Sequence, residues 1–495
     1  MTGSDWLKKW AFYFPDKIAV REYETGREFS YRYLNELSER AASFFVRFFH
    51  LKKGDRLAVL AENCLEYFIL FGMAQKTGVI LVPLNYRLTR NELNFLLADS
   101  GPAVILCEDK FREKLPDSDV PVIRLEDFSE KLNLLNEPEV PAAEILESNP
   151  LFILYTSGTT GTPKGAIYTH GMLFWNSINT TLRLDIRSDD RSVSCTPMFH
   201  TGGWNVIPTP FLHRGATVTL MKKFDPLAVL EELANTRSTM FMAVPTMLQM
   251  MADTPIFEKV DLSAMRFFVI GGEPMPLPLI DRWHNKGIPI RQGYGLTEAG
   301  PSITSLHQDD AIRKRGSIGT PNFYLDIRIV NERGKDVPPG EVGELWLKGP
   351  SVTPGYWHNE TATREALTDG WFHTGDMVRM DEDGYLFIMD RKKNMYISGG
   401  ENVYPAEVEK VILAHPDVKE AAIIGVPDEK WGETGMAFLV MNEDKRITIE
   451  ELTTFLTGKI AKYKLPRQLE IVSELPKNDT GKIDRKALKN LITQP

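Results

Sequence analysis

"LFILYTSGTTGTPKG", residues 151–165, decides how the chain is read. Its first six residues are apolar and β-prone, the composition of a strand buried on both faces. The remainder packs glycines, hydroxyls and one lysine. Glycine lets a backbone approach a ligand closely, successive amide N–H groups can form an anion-binding nest, and Lys164 adds positive charge. A buried strand running into such a loop is how a phosphate site is built. The spelling is not that of the P-loop, which needs a glycine five residues after its first, then lysine and a hydroxyl residue. Counted from Gly158, that glycine position holds Pro163, and Gly165 stands where the hydroxyl would be. A solvent loop of turn formers has the same composition, and this segment alone leaves both readings open.

Outward from the loop the same beat repeats. "LAVLAE" (57–62), "VILVPL" (79–84), "AVILCE" (103–108), "TVTLMKK" (217–223), "TMFMAV" (239–244) and "RFFVIGG" (266–272) read as apolar strands. "EYFILFGMAQKTG" and "DPLAVLEELANT" read as helices between them. Strand–helix alternation with doubly buried strands predicts an α/β fold of layered parallel sheets. From about Leu325, "LDIRIVNE", "GEVGELWLKG" and "GYLFIMD" are strands joined by turn residues, which predicts a small antiparallel sheet or barrel. After Asp390 comes a charged joint, "RKKN", and then a compact α+β pattern. It contains "MYIS", a helix opened by Pro405 with Val408, Val411 and Ile412 on one face, "AAIIGV", "GMAFLVM" and a helix near 448–462. The expected organisation is a large domain over 1–390, a hinge over 391–394 and a small mobile domain over 395–495.

Gross composition narrows the class. The 495 residues are too many for one ordinary domain, and 43% hydrophobic with 25% charged residues is a globular balance. A net charge of −9 without any long Lys/Arg run argues against a nucleic-acid partner. Cys64, Cys107 and Cys195 are isolated, which gives neither metal-type spacing nor a disulfide framework and suits a reducing compartment. The opening "MTGSDWLKKW" has no apolar signal region, and Gln75, Lys76 and Thr77 interrupt the apolar stretch 67–83. A cytoplasmic protein without a transmembrane segment is expected.

Further chemistry-bearing residues follow other strands. "QGYGLTEAGP" (292–301) offers the flat ring of Tyr294, the hydroxyl of Thr297 and, in Glu298, a hard carboxylate oxygen suited to Mg²⁺. "GWFHTGD" places Asp376 after a Thr-Gly turn, Arg391 stands at the charged joint, and Lys482 follows Gly481 in "LPKNDTGKIDRKAL". Each has an ordinary counterpart: a packed tyrosine, a solvated glutamate, a turn-capping aspartate, a surface lysine.

Together, "YTSGTTGTPKGA", "GYGLTE", "HTGD", "DRKKNMYISGGENVYPAEVE" and "PKNDTGKIDR" resemble, in order and spacing, the motifs of the adenylate-forming (AMP-binding) enzymes. That superfamily includes acyl-CoA synthetases, the adenylation domains of peptide synthetases and luciferases. The resemblance spans roughly residues 10–490 and implies ATP-dependent activation of a carboxylic acid to an acyl-adenylate, with release of pyrophosphate. Under it Thr156, Ser157, Gly158, Thr159, Thr160, Gly161 and Lys164 would hold the β- and γ-phosphates. Thr156 and Glu298 match the Mg²⁺ positions, and Thr297 an α-phosphate contact. Tyr294, between Gly293 and Gly295, matches the adenine-stacking position, with Gly271, Gly272, Glu273 and Pro274 walling the base and the acyl pocket. Asp376 matches the ribose-binding carboxylate, Arg391 a ribose or phosphate contact, and Lys482 the lysine bridging carboxylate and α-phosphate. His200, in "CTPMFHTGGWN", matches a gate between the acyl and thiol channels; its ordinary reading is a packed histidine. Gly202, Gly203 and Trp204 would shape the acyl pocket. Lys393 falls at the hinge position, and Gly399 and Gly400 would border the pantetheine channel.

The chain ends thirteen residues after Lys482, too few for a carrier domain, which favours a free-standing acyl-CoA synthetase using ATP, Mg²⁺ and coenzyme A. A medium- or long-chain fatty acid is the expected substrate, with an aryl acid as the alternative. A luciferase-type oxygenase and a non-catalytic acyl-adenylate binder are the other classes in view. A homodimer is compatible with this reading.

Overall fold

The structure is a computed structural model. It describes residues 5–135, 138, 143–156, 163–273, 275–398, 401–442, 445–477 and 481–493. Contacts divide the chain into two compact units, residues 1–327 with 347–372 and residues 328–346 with 373–495. Strands Val342–Lys348 and Trp371–Met380 each begin in one unit and end in the other.

The first unit is layered α/β, as the alternating runs predict. One sheet orders its strands Val122–Arg124, Val104–Cys107, Arg56–Leu60, Ile80–Pro83, Pro150–Thr156 and Lys164–Thr169. The pairings are parallel except the last, which is antiparallel. The helix Glu66–Thr77 between two of these strands is buried along its whole length, including the polar Glu66, Gln75, Lys76 and Thr77 at its ends, so it shows no exposed stripe. A second sheet runs Met240–Ala243, Phe267–Ile270 and Ile290–Tyr294 in parallel, then turns antiparallel through Thr304–Ser305 and Thr320–Pro321. A third joins Ile18–Glu22 to Thr217–Leu220 and Arg191–Ser194 in parallel, with Glu28–Ser30 antiparallel on its edge. The edges through Thr304–Ser305, Thr320–Pro321 and Glu28–Ser30 are not visible in the alternation, because a strand of two or three residues carries no period to read.

In the second unit, Trp371–Met380 pairs antiparallel with Leu386–Arg391. Beyond them lies the α+β module expected after the joint. Val418–Asp428 and Gly432–Met441 form a long antiparallel pair, and Gln468–Ile471 adds a parallel strand. The helix Pro405–Ile412 buries Val408 and Ile412 against this sheet's core. The last expected helix is shorter than its pattern suggested. It spans Ile449–Leu456, because Thr457 is extended and Gly458 takes a φ of +82°, ending the helical ladder. Among the described residues no helix is long and apolar enough to cross a membrane.

Candidate active site

The opening loop does not connect a strand to a helix. Pro150–Thr156 pairs antiparallel with Lys164–Thr169, with Thr156 directly opposite Lys164. Ser157, Gly158, Thr159, Thr160 and Gly161 lie outside the described residues, as do Pro274, Gly399 and Gly400. The two residues flanking the loop are therefore held in register by the strand pair.

Glu298 comes to Thr156 from a distant part of the sequence. It sits in the short 3-10 turn Thr297–Ala299, just past the strand Ile290–Tyr294 that ends on half-buried Tyr294. The loop between is tight: a Cβ on Gly295 would fall 1.5 Å from the Pro301 carbonyl oxygen, so no other residue fits there. Thr156 Oγ1 donates to Glu298 Oε1 at 3.4 Å. The Tyr356 hydroxyl donates to the same oxygen at 2.9 Å, and Lys164 Nζ lies 5.3 Å from the Tyr356 ring centroid. Backbone bonds lash the same segment in place. Thr353 N donates to Glu298 O at 2.7 Å, Trp357 N to Gly165 O at 2.7 Å, and Ile167 N to Gly355 O at 3.1 Å. Residues 353–357 thus strap the strand carrying Lys164 to the turn carrying Glu298. Nothing in "TPGYW" marked Tyr356 as functional; its role is visible only through the fold.

A hydroxyl and a carboxylate oxygen 3.4 Å apart form a hard-oxygen pair that fits Mg²⁺, an ion bound through one or two carboxylates together with water and substrate phosphates. Among the described residues no group of three or more His, Cys, Asp or Glu could form an all-protein cage.

The His200 ring lies against that of Phe199, centroids 4.3 Å apart and tilted by 54°, and its backbone opens the short helix Thr201–Asn205. Gly202 is half-buried within that helix. Gly203 is dictated by packing, since a Cβ would fall 2.2 Å from the Pro197 carbonyl oxygen. Trp204, expected to shape an acyl pocket, is wholly buried. Its ring meets Tyr67, Phe68, Phe71 and Phe152 at centroid distances of 5.2–5.8 Å, which anchors it in the main core of the first unit. Gly271 and Gly272 follow the strand Phe267–Ile270, with Glu273 after them, and Gly293 lies within the neighbouring strand.

The second unit gathers the remaining residues. The Thr-Gly pair ahead of Asp376 does not form the expected turn. Gly375 has a φ of +68° but the strand Trp371–Met380 continues through it, and Asp376 pairs in register with Arg391. The Asp376 side chain is buried, its amide donates to Thr374 Oγ1 at 3.0 Å, and Arg391 Nε lies 2.5 Å from its Oδ1. Lys393 lies in the turn that follows. Burial first, then the nearby Arg391 and Lys486, lower its pKa. Asp390, not singled out in the sequence, is 5% exposed and organises this turn. Its carboxylate accepts from Arg391 N at 2.6 Å, Asn394 Nδ2 at 2.9 Å and Ala406 N at 2.7 Å. Ala406 belongs to the first turn of the helix Pro405–Ile412, whose own N-cap Tyr404 makes no side-chain cap. Lys482 is exposed beside Gly481. The structure thus assembles Thr156, Lys164, Glu298 and Tyr356 in one unit, and Asp376 with Arg391 in the other.

Residues 7–357 match the AMP-binding enzyme family, and residues 407–482 match the AMP-binding enzyme C-terminal domain. The chain belongs to the AMP-binding enzymes. It is similar to feruloyl-CoA synthase of Amycolatopsis sp, 39% identical over 97% of this chain and 96% of that one. Among solved AMP-binding enzymes it resembles o-succinylbenzoate CoA synthetase of Bacillus subtilis in complex with its acyl-adenylate intermediate. That match has 33% identity and a TM-score of 0.90, over 99% of this chain and 98% of that one; the same synthetase has been solved with ATP and magnesium ion. A fatty acyl CoA synthetase of Mycobacterium tuberculosis matches with 35% identity and a TM-score of 0.81, over 99% and 98% of the two chains. Within the family the chain is an AMP-forming acid–thiol ligase.

Proposed function

We propose that this ligase activates an aryl carboxylic acid with ATP and transfers the acyl group to coenzyme A. The observation that carries the acid class is the full-length similarity to feruloyl-CoA synthase. A fatty acid is the second reading, favoured by the similarity to the fatty acyl CoA synthetase.

The chemistry needs two anions, a carboxylate and a triphosphate, brought into line. In the proposed site Lys164 and the loop it closes receive the β- and γ-phosphates of ATP, which leave together as pyrophosphate. Thr156 and Glu298 would hold Mg²⁺, which when bound neutralises charge on the phosphate oxygens. Tyr356, donating to Glu298, fixes the direction in which that carboxylate points. Asp376 accepts from the ribose hydroxyls, and Arg391, paired to it, sets its orientation. Tyr294 and Thr297 address the base and the α-phosphate. Lys482 bridges the attacking carboxylate and the α-phosphate, where negative charge gathers, and preorganised positive charge at that point is the largest expected catalytic term. In the second step His200, Gly399 and Gly400 border the path of the thiol, and the 391–394 turn, with Lys393, absorbs the backbone change that exchanges Lys482 for that path.

The deciding experiment measures pyrophosphate release and acyl-CoA formation over a panel of cinnamate-type, benzoate-type, medium-chain and long-chain acids, with and without coenzyme A. Higher kcat/KM for aryl acids supports the proposal. Preference for a fatty acid replaces it with the second reading, and light emission with a luciferin would replace both.

A further inference from the structure

The N-terminal helix Trp6–Tyr13, "WLKKWAFY", has two unlike faces. Trp6 and Leu7 are buried in the main core of the first unit, and Trp10 packs against the same core. At 3.6 residues per turn, Lys8, Phe12, Lys9 and Tyr13 fall within one arc of about 140° on the other side. All four are exposed. Phe12 is 81% exposed, Tyr13 59% and Phe14, just past the helix, 53%. These rings form a connected cluster. Phe12 and Tyr13 lie 5.5 Å apart by ring centroids, Tyr13 and Trp10 6.0 Å, and Trp10 and Phe14 5.8 Å. Single exposed apolar side chains are ordinary; three neighbouring exposed aromatics at the end of a helix are not.

The charges on this face indicate what covers it. Among the described residues neither Lys8 nor Lys9 has an ion-pair partner. The neighbouring acids are already engaged: Asp5 with Lys76 at 2.5 Å and Asp16 with Arg32 at 3.1 Å. The face therefore presents unneutralised positive charge beside aromatic rings, on a chain whose net charge is −9. A second copy is disfavoured as the occupant. A two-fold contact through this face would bring both lysines of one copy against those of the other. An anionic lipid surface suits it, since aromatic rings settle at the headgroup level while lysines meet the acidic headgroups.

We propose that Lys8, Lys9, Phe12, Tyr13 and Phe14 form a docking face for an anionic membrane surface. The contact is peripheral and reversible: two charges and three partly inserted rings on a rigid scaffold, without a spanning segment. It is independent of the acid the enzyme uses, although it would bring the enzyme to the surface where apolar acids partition.

The test is co-sedimentation of the full-length chain with phosphatidylcholine vesicles prepared with and without phosphatidylserine. The expected result is binding to the phosphatidylserine vesicles that weakens with salt. It should fall about tenfold or more in Lys8→Glu/Lys9→Glu and in Phe12→Ser/Phe14→Ser, since each lysine and each buried ring contributes to partitioning. Pyrophosphate release with a water-soluble acid should be unchanged in both variants, which shows that they fold. Failure of the wild-type chain to bind the anionic vesicles would overturn the proposal, as would equal binding by the variants. Light scattering that found a wild-type dimer dispersed by Phe12→Ser/Phe14→Ser would also overturn it and give the face to a second copy.

Discussion

Replacing Tyr356 by phenylalanine removes one oxygen atom and leaves the ring. The hydroxyl is 2.9 Å from Glu298 Oε1, the carboxylate oxygen that Thr156 also addresses at 3.4 Å. A hydrogen bond to a charged group contributes about 1.5–3 kcal/mol, and a half-exposed pair such as this one sits at or below the lower end. Taking about 1.4 kcal/mol, the carboxylate loses its orientation to an extent that corresponds to roughly tenfold in an equilibrium or a rate. If Glu298 serves the metal, the loss falls on Mg²⁺. The concentration giving half-maximal pyrophosphate release should rise about tenfold, while the rate at saturating Mg²⁺ and ATP stays within about twofold of wild type. The ring near Lys164 is retained, so the loop's flank is undisturbed. Glu298→Gln is the companion variant; it removes the charge and should cut turnover by on the order of a hundredfold. The assay is pyrophosphate release over a grid of Mg²⁺ and ATP concentrations. An unchanged Mg²⁺ dependence in Tyr356→Phe would refute the argument that this hydroxyl aims the metal-binding carboxylate.

Three other outcomes are expected. Asp376→Ala should raise the apparent KM for ATP far more than that for the acid; an unaltered ATP dependence would remove Asp376 from the ribose contact. Lys482→Ala should slow acyl-AMP formation by on the order of a hundredfold, as for loss of a preorganised charge, and should spare transfer from supplied acyl-AMP to coenzyme A. Gly400→Trp should do the reverse, and equal damage to both steps in both variants would reject the alternating site. Burial lowers the pKa of His170 and of His213 to about 4. Both are neutral in the folded chain and protonate near pH 6.5 when unfolded, so their contribution is complete above about pH 6.5 and is lost as the pH falls to about 4. Each accounts for up to about 3 kcal/mol, to be read from urea unfolding at pH 7.5 and pH 4.5; equal stability at the two values would contradict it.

The α/β layering was legible because runs such as 57–62 and 103–108 are apolar, short and evenly interrupted, and period is what a sequence displays. The hairpin Pro150–Thr156 with Lys164–Thr169 was not, since the glycine loop masks the second strand and a strand-to-helix exit has the same composition. The Thr-Gly pair before Asp376 reads as a turn in sequence although the strand runs through it, because a glycine of positive φ inside a strand looks the same as one at its end. Glu298 and Thr156 were matched one at a time; their meeting is a tertiary fact. Tyr356 and Asp390 carry no sequence signal because each makes its telling bond to a residue far along the chain, 58 and 16 positions away. Trp204 was placed by resemblance alone; its burial among Tyr67, Phe68, Phe71 and Phe152 is again a tertiary fact.

The Asp390 carboxylate also bears on how such chains can be recombined. Domain boundaries drawn by sequence fall in the charged run, so a graft would naturally join a foreign C-terminal module after Asn394. That junction would keep Asp390 from one parent and take the start of the helix at Pro405 from the other, leaving the 2.7 Å bond to Ala406 N to chance. A crossover placed ahead of Asp390 moves the carboxylate, the turn and the helix start as one inherited piece. The seam along which this protein can be exchanged with its relatives therefore lies upstream of the 391–394 turn rather than within it.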